Sequence, residues 1–272
     1  MPTLNKDTTL CISLAARPSN LGTRFHNFLY DELGLNFAYK AFTTTDIEAA
    51  IQGVRGLGIR GCSVSMPFKE AVIPLVDEIE PSAAAIESVN TIVNNDGRLT
   101  AANTDYEAIA ELLREFDVDT SSRVVVRGSG GMAKAVVAAL RDHGVTGVTV
   151  LARNPATGAA IADQYGFAYT GAEPTPGEFD TVVNVTPMGM TGPDADTLSF
   201  PEDVVAAASV VFDVVAFPAE TPLVRLGEKL GATVISGARV HASQAARQFE
   251  RYTGVAITPE QVARAAAFSR AE

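Results

Sequence analysis

Two groups of residues in this 272-residue sequence have types and spacings suited to chemistry. The first is Gly128-Ser129-Gly130-Gly131-Met132-Ala133, which fits the dinucleotide-binding pattern G-x-G-x-x-G/A. The first glycine permits a tight turn and the second lets backbone approach a pyrophosphate. A small residue at Ala133 lets the following helix pack on its strand. Further on, Leu151-Ala152-Arg153-Asn154 ends an apolar run where an NAD site usually carries a carboxylate for the ribose 2′-hydroxyl. Arg153 instead offers charge-assisted hydrogen bonds to a 2′-phosphate, so NADP is the expected cofactor. A glycine turn serving only close packing, and a solvated surface arginine, are the competing structural readings. The second group is Ser63, Ser65, Lys69, Asn90, Asn103, Thr104 and Asp105. It suits a small, hydroxyl-rich ligand, and composition alone assigns it no reaction.

The elements that must position these groups follow from hydrophobic patterning. The first hundred residues alternate strands and helices: Leu10–Leu14 a strand, Phe25–Leu33 a helix closed by Gly34, Phe37–Phe42 a strand, then a helix capped by Thr45 or Asp46. Gly61–Ser65 reads as a strand that brings Ser63 and Ser65 to one side, and Pro67 suits the first turn of a helix carrying Lys69 and Glu70. Asp96-Gly97 between two extended segments signals a hairpin with Asn90 at one start and Asn103-Thr104-Asp105 at its close. After a helix over Tyr106–Phe116, the segments 124–127, 148–153, 181–186, 210–216 and 233–236 are Val-rich and apolar, with helical stretches between. Such strands belong to a parallel sheet covered on both faces, so the second half reads as a doubly wound, Rossmann-type unit. A helix over Ala238–Tyr252 and a final helix opened by the capping box at Thr258–Gln261 lie beyond the sheet pattern and can return to the first unit. The expected division is residues 1–105 with 239–272, and residues 106–238.

Composition narrows the function classes. With 47% hydrophobic and 19% charged residues the chain can bury substantial cores, and a net charge of −11 disfavours nucleic acid as a partner. Cys11 and Cys62 read as buried structural thiols, and His26, His143 and His241 lack ligand spacing, so no metal is expected. The N-terminal residues lack a signal-peptide pattern, and the most apolar stretch, Val204–Phe217, is interrupted by Asp213 and too short to span a bilayer. A cytoplasmic protein without a membrane partner is the expectation, as a monomer or homodimer.

The motifs SVSMPFKE, SVNTIVN, NTD, GSGGMAKA, ARN, NVTPMGM and QAARQFE stand in the order found in shikimate dehydrogenases, over essentially the whole chain. The sequence therefore resembles that family, and more closely its divergent shikimate dehydrogenase-like subgroup. The resemblance implies an α/β substrate domain, a Rossmann NADP domain and C-terminal helices returning to the first domain. It also implies an oxidoreductase of aromatic amino acid biosynthesis that reversibly reduces 3-dehydroshikimate to shikimate with NADPH. By the same resemblance, Lys69 and Asp105 are the catalytic pair, with Ser63, Ser65, Asn90, Thr104 and Gln244 at substrate-contacting positions. Dinucleotide contacts are implied for Gly128 through Ala133 (Gly128, Ser129, Gly130, Gly131, Met132, Ala133), Arg153, Asn154 and Thr186.

The departures bear on the substrate. Where the family places two carboxylate-binding hydroxyls, this chain has Asn20 and Gly22, ahead of His26-Asn27, and Asn20 is the expected replacement contact. Arg17 is a further candidate for the carboxylate, and Ala216 stands where the family has an aromatic residue. Weak shikimate activity is expected, on a cyclic hydroxy-carboxylate substrate. Two alternatives stand beside it: a quinate/shikimate-type dehydrogenase on a related cyclic polyol carboxylate, with NAD as a further cofactor option, and a non-catalytic dinucleotide- or metabolite-sensing protein.

Overall fold

A computed structural model describes residues 4–271 of the chain. Residues 1–3 and 272, which the expected domain ranges include, lie outside the described residues. Contacts divide the chain into two compact units: residues up to Thr104 together with those from Ala242, and Asp105–His241. The division falls at slightly different positions from those read off the sequence, so Asp105 and residues 239–241 group with the second unit.

The first unit is built on a six-stranded mixed sheet in the order β2-β1-β3-β5-β6-β4. Strands β1 (Thr9–Leu14), β2 (Phe37–Phe42) and β3 (Gly61–Val64) are parallel, joined through helices α1 (Leu21–Glu32) and α2 (Ile47–Gly56). Strands β5 (Thr91–Asn95) and β6 (Arg98–Ala102) form the hairpin, and β4 (Glu78–Ile79) pairs with β6. Asp96 at φ 50 and Gly97 at φ 90 make the left-handed turn that the Asp-Gly pair favours. Between β4 and β5 lies the short helix α3 (Pro81–Ala84). One face of the sheet carries an aliphatic core of Ile12, Leu14, Ile51, Val54, Val64, Ile92 and Leu99. The other carries an aromatic core in which Phe25, Tyr30 and Tyr39 pack with Phe249, Tyr252 and Ala265.

Those last residues belong to α9 (Gly237–Thr253) and α10 (Pro259–Arg270), so the C-terminal helices do return to the first unit. The Thr258 capping box opens α10 as the sequence predicts. Arg24 donates from Nε and Nη2 to the Phe268 carbonyl, and Arg264 pairs with Glu32 at 2.6 Å, fixing α10 along α1. At Gly61 a Cβ would sit 2.4 Å from the Tyr252 ring, so only glycine lets α9 lie this close to β3.

One local expectation is corrected. Residues 66–72 form successive turns, not a helix, followed by a short 3-10 turn at Ile73–Leu75. The Lys69 carbonyl, which a helix would use for Ile73, accepts from Val89 N at 2.8 Å, while Ile73 N donates to Glu70 O. Pro74, lacking an N–H, could not have extended the ladder.

The second unit begins in α4 (Thr104–Glu115) and has an all-parallel sheet in the order β12-β11-β10-β7-β8-β9. Its strands are β7 (Arg123–Arg127), β8 (Gly147–Leu151), β9 (Ala168–Thr170), β10 (Thr181–Asn184), β11 (Val210–Asp213) and β12 (Thr233–Ser236). Counted from β7, the order is 3-2-1-4-5-6 read from the β9 edge, the doubly wound Rossmann topology. The connecting helices are α5 (Gly131–His143), α6 (Pro155–Tyr165), α7 (Glu202–Ala207) and α8 (Pro222–Leu230). Patterning missed the short strands β4 and β9 and the four-residue helix α3, all too brief to show a period. No helix among the described residues is long and apolar enough to cross a membrane.

Candidate functional site

In the first unit the strand ends meet along one line. Register pairs Ala41 with Ser13, Ser13 with Ser63, Ser63 with Thr91, and Thr91 with Ala102. The sequence read outward from that line supplies Ser65 after β3, Asn90 before β5, and Asn103 and Thr104 after β6. Val64 N donates to the Asn90 carbonyl at 2.8 Å and Asn90 N to the Ala102 carbonyl at 3.1 Å, so three strand ends are sewn together. The Val89–Lys69 backbone bond brings the Lys69 main chain to the residue next to Asn90. Lys69 and Asp105 are both half-buried.

The polar side chains here are not equally available. Asn90 Oδ1 accepts from Thr104 N at 2.8 Å and from Thr91 Oγ1 at 2.7 Å. Because a backbone N–H can only donate, this fixes the amide orientation, and Nδ2 makes no hydrogen bond among the described residues. Thr104 is fully buried, its hydroxyl against Asn90 and Thr91. Ser63, expected to meet a ligand, has its hydroxyl engaged three ways: it accepts from Tyr39 OH at 2.7 Å, donates to Gln248 Oε1 at 3.0 Å, and lies 3.1 Å from Tyr252 OH. Ser65 and Asn20 are exposed and Gln244 is half-buried, and none of the three makes a side-chain hydrogen bond among the described residues. Asn20 occupies the N-cap position of α1 without capping it.

Sequence reasoning missed Tyr39, Gln248 and Tyr252. Gln248 is buried and donates to the Asn90 carbonyl and to Thr91 Oγ1 at 2.9 Å. Its spacing from Gln244, four residues along one helix face, was the available signal. His26, part of the resemblance, is fully buried and stacked on Tyr39 with ring centroids 4.4 Å apart. Burial pushes the Cys11 thiol up to about 12 and raises Cys62 as well, so neither is a nucleophile at neutral pH. Among the described residues no cluster of His, Cys, Asp or Glu could hold a metal ion.

In the second unit the glycine turn leaves β7 at the point where strand order reverses, between β7 and β10. Gly128 has φ +124, and a Cβ there would lie 2.8 Å from Val185 Cγ2 and 3.1 Å from Thr186 Cγ2. A Cβ at Gly130 or Gly131 would meet nothing within 4 Å, and no side chain caps α5. Ala133 N donates to the Gly130 carbonyl at 2.9 Å, and the amides of Gly131 and Met132 ahead of it are left for an anion, which fits a pyrophosphate. Ala133 is buried against the strand and Met132 is half-buried beside it. Ser129 Oγ lies 2.7 Å from Thr157 Oγ1, linking the turn to the start of α6. Asn154 caps that helix, accepting from Ala156 N at 3.0 Å, while Arg153 beside it is exposed. The residues present therefore fit a phosphorylated dinucleotide, with Asn154 shaping the loop.

The last residues of the strands form a second row: Leu151, Arg127, Asn184, Asp213 and Ser236, paired in register. Arg127 is paired with Glu173, Nη1 to Oε1 at 2.9 Å, and lies over the Phe200 ring. That guanidinium holds the Glu173 carboxyl below its ordinary range. Asp213 is fully buried, and desolvation raises its carboxyl to about 6 despite hydrogen bonds from Thr221, Val215 and Asn184 that pull it down.

Comparison with known proteins agrees with this architecture. Residues 19–92 match the shikimate dehydrogenase substrate binding domain. A shikimate dehydrogenase-like protein of Haemophilus influenzae is 55% identical over 98% of this chain and 98% of its own. The chain belongs to the shikimate dehydrogenase family. This is a family of oxidoreductases, and the two-domain fold expected from the sequence is the family's fold. The shikimate dehydrogenase (NADP(+)) of Streptococcus uberis is 34% identical over 90% of this chain and 91% of its own. Among solved structures, a Thermus thermophilus shikimate 5-dehydrogenase in complex with NADP(H) and shikimate superposes with a TM-score of 0.84 at 28% identity, covering 96% of this chain and 99% of that one. A Corynebacterium glutamicum quinate dehydrogenase in complex with NAD does so with the same TM-score and identity, over 96% and 98%.

Proposed function

We propose that this shikimate dehydrogenase family member is an NADP-dependent dehydrogenase that reversibly reduces 3-dehydroshikimate to shikimate, with weak activity on that pair. The first unit binds the cyclic hydroxy-carboxylate and the second binds the dinucleotide. Bound NADPH supplies the hydride to the substrate carbonyl carbon. Lys69 gives the developing alkoxide its proton and takes it back in the reverse direction, and Asp105 orients the lysine and the reacting hydroxyl. Asn90 Nδ2, Ser65 and Gln244 hold the remaining substrate oxygens. Gly128, Ser129, Gly130 and Gly131 turn the backbone beneath the pyrophosphate, and Arg153 meets the 2′-phosphate.

The observation that carries this reading is the fastening of the Lys69 main chain, through Val89, to the strand end that also holds Asn90 with its amide nitrogen unengaged. A proton donor and a hydroxyl-binding amide on one rigid line are what reduction of a polyhydroxylated ketone requires. Weakness on shikimate follows from Asn20 and Gly22 where the family has two hydroxyls. Two hydrogen bonds to a carboxylate contribute about 3–6 kcal/mol, a factor of roughly 10²–10⁴ in kcat/KM, less whatever Asn20 or Arg17 returns. The likeness to a quinate dehydrogenase supports a second reading, oxidation of a related cyclic polyol carboxylate. Steady-state kcat/KM for shikimate and quinate, each with NADP and NAD, tests both. Shikimate turnover near 10⁶ M⁻¹s⁻¹, in the ordinary range of efficient enzymes, would refute the weak-activity reading.

A further inference from the structure

The buried row at the strand ends of the second unit contains a carboxylate that the proposed reaction does not use. Asp213 ends β11, is 0% exposed, and is acceptor-only by its partners. Its Oδ1 accepts from Val215 N and from Asn184 Nδ2, each at 3.0 Å, and its Oδ2 accepts from Thr221 Oγ1 at 2.6 Å. Thr221 in turn caps α8 through Val224 N. A Cβ at Gly189 would be 3.1 Å from Thr221 Cβ, so the loop after β10 lies directly on this capping threonine.

The consequences run through Asn184. One amide proton of Asn184 goes to Asp213 and the other to the Met188 carbonyl at 3.1 Å. Its Oδ1 accepts from Thr186 N at 3.0 Å and from Thr186 Oγ1 at 2.6 Å. Asn184, itself 0% exposed, has therefore used every donor and both lone pairs. Since a carboxylate can only accept, the Asn184 amide must turn its NH2 to Asp213 and its oxygen to Thr186. The single hydroxyl proton of Thr186 is then committed to Asn184. Thr186 Oγ1 accepts from Met188 N at 3.3 Å, and its remaining lone pair is its one unspent hydrogen-bonding capacity. Thr186 is half-buried, and its methyl lies 3.1 Å from where a Gly128 Cβ would be.

We propose that Asp213 is a positioning residue which, through Asn184, makes Thr186 Oγ1 a dedicated acceptor for a hydrogen-bond donor of the bound dinucleotide. The inference rests on the NADP reading above. Two donors have that chemistry: the carboxamide NH2 of the nicotinamide and a ribose hydroxyl. In either case the buried carboxylate sets polarity two residues away from any ligand, which is a use for a charge whose burial is otherwise a cost.

The test measures dissociation constants for NADP and for its 3-acetylpyridine analogue, in which a methyl replaces the carboxamide nitrogen, by quenching or calorimetry without turnover. Thr186→Val removes the acceptor at a half-buried loop position and is expected to weaken NADP binding about tenfold, the loss of one such hydrogen bond, while Thr186→Ser keeps it. Asp213→Val is expected to weaken binding comparably, and the double variant no more than either single one, since both act on one contact. Asp213→Asn, whose carbonyl still accepts from Asn184 and Val215, is expected to restore affinity to within about threefold of wild type. A general structural role would instead give additive losses and no dependence on Thr186. If the carboxamide is the donor, wild type binds the analogue about tenfold less tightly and Thr186→Val abolishes the difference. If a ribose hydroxyl is the donor, Thr186→Val weakens both dinucleotides equally. Should Asp213→Val not fold, Thr186→Val against Thr186→Ser still decides. Near wild-type NADP affinity in Thr186→Val overturns the relay alone, and no NADP binding by the wild type overturns both the relay and the NADP reading.

Discussion

Ser63→Ala separates a ligand contact from a structural hub. The hydroxyl meets Tyr39 OH at 2.7 Å, Gln248 Oε1 at 3.0 Å and Tyr252 OH at 3.1 Å, and all three partners are buried. A net contribution of 0.5–1.5 kcal/mol per hydrogen bond puts the loss of three at about 2–4 kcal/mol of stability. The raised ionisation of Tyr39 and Tyr252, caused first by burial, reflects the same dry setting. The chain has 0 tryptophans and 6 tyrosines, and Tyr30, Tyr39 and Tyr252 lie in this aromatic core, so near-ultraviolet circular dichroism during urea unfolding includes its signal. The expected result is a lower midpoint with an unchanged slope. Ser65→Ala, at an exposed position, should shift stability by no more than about 0.5 kcal/mol while raising KM. A Ser63→Ala protein within about 0.5 kcal/mol of wild type, with a raised KM, would show that the hydroxyl serves the ligand and that the hub argument is wrong.

Three further outcomes are expected. Lys69→Ala should lower kcat by roughly 10²–10⁴-fold with a smaller change in KM, and Asp105→Asn should also depress turnover; near wild-type kcat in both would remove them from the chemistry. Arg153→Ala should raise KM for NADP and leave NAD nearly unaffected, whereas a parallel loss for both cofactors would point to loop damage. For Asp213, a folded value of about 6 against an ordinary 3.8 means that the native state binds the proton more tightly than the unfolded chain. Stability from this group is therefore full at low pH and falls by about 3 kcal/mol as pH rises from about 4 through 6. Asp213→Asn should flatten that part of a stability-against-pH curve, and an unchanged slope would contradict the assignment.

The second unit was legible because its strands are uniformly apolar and punctuated by one diagnostic turn. The turn at Gly128 could be read from position alone, since backbone geometry is a local property. In the first unit the strands and the Asp96-Gly97 hairpin were equally plain, but the segment around Lys69 was not. Its turns depend on a hydrogen bond to Val89, twenty residues away in sequence, which no local pattern encodes. Ser63 illustrates the same limit: alternation placed it on the right strand face, yet whether its hydroxyl is offered or consumed is decided by Tyr39, Gln248 and Tyr252 from other elements. Asp213 looked like an interruption of an apolar run, and only its register beside Asn184 revealed a partner.

The first unit is written in two pieces, and that has a consequence for how the protein is made. Its aromatic core needs Phe249, Tyr252 and Ala265 to cover Phe25, Tyr30 and Tyr39. A ribosome delivers the covering residues only after all of Asp105–His241 has emerged. The intervening unit is contiguous and can complete its parallel sheet while still tethered, whereas α1 and β2 must wait with an apolar face exposed. At about 5–20 residues per second that wait is on the order of 10 seconds, a window for chaperones or for aggregation. Slowing translation between the codons for β2 and α9 should therefore lower soluble yield more than slowing it ahead of α1.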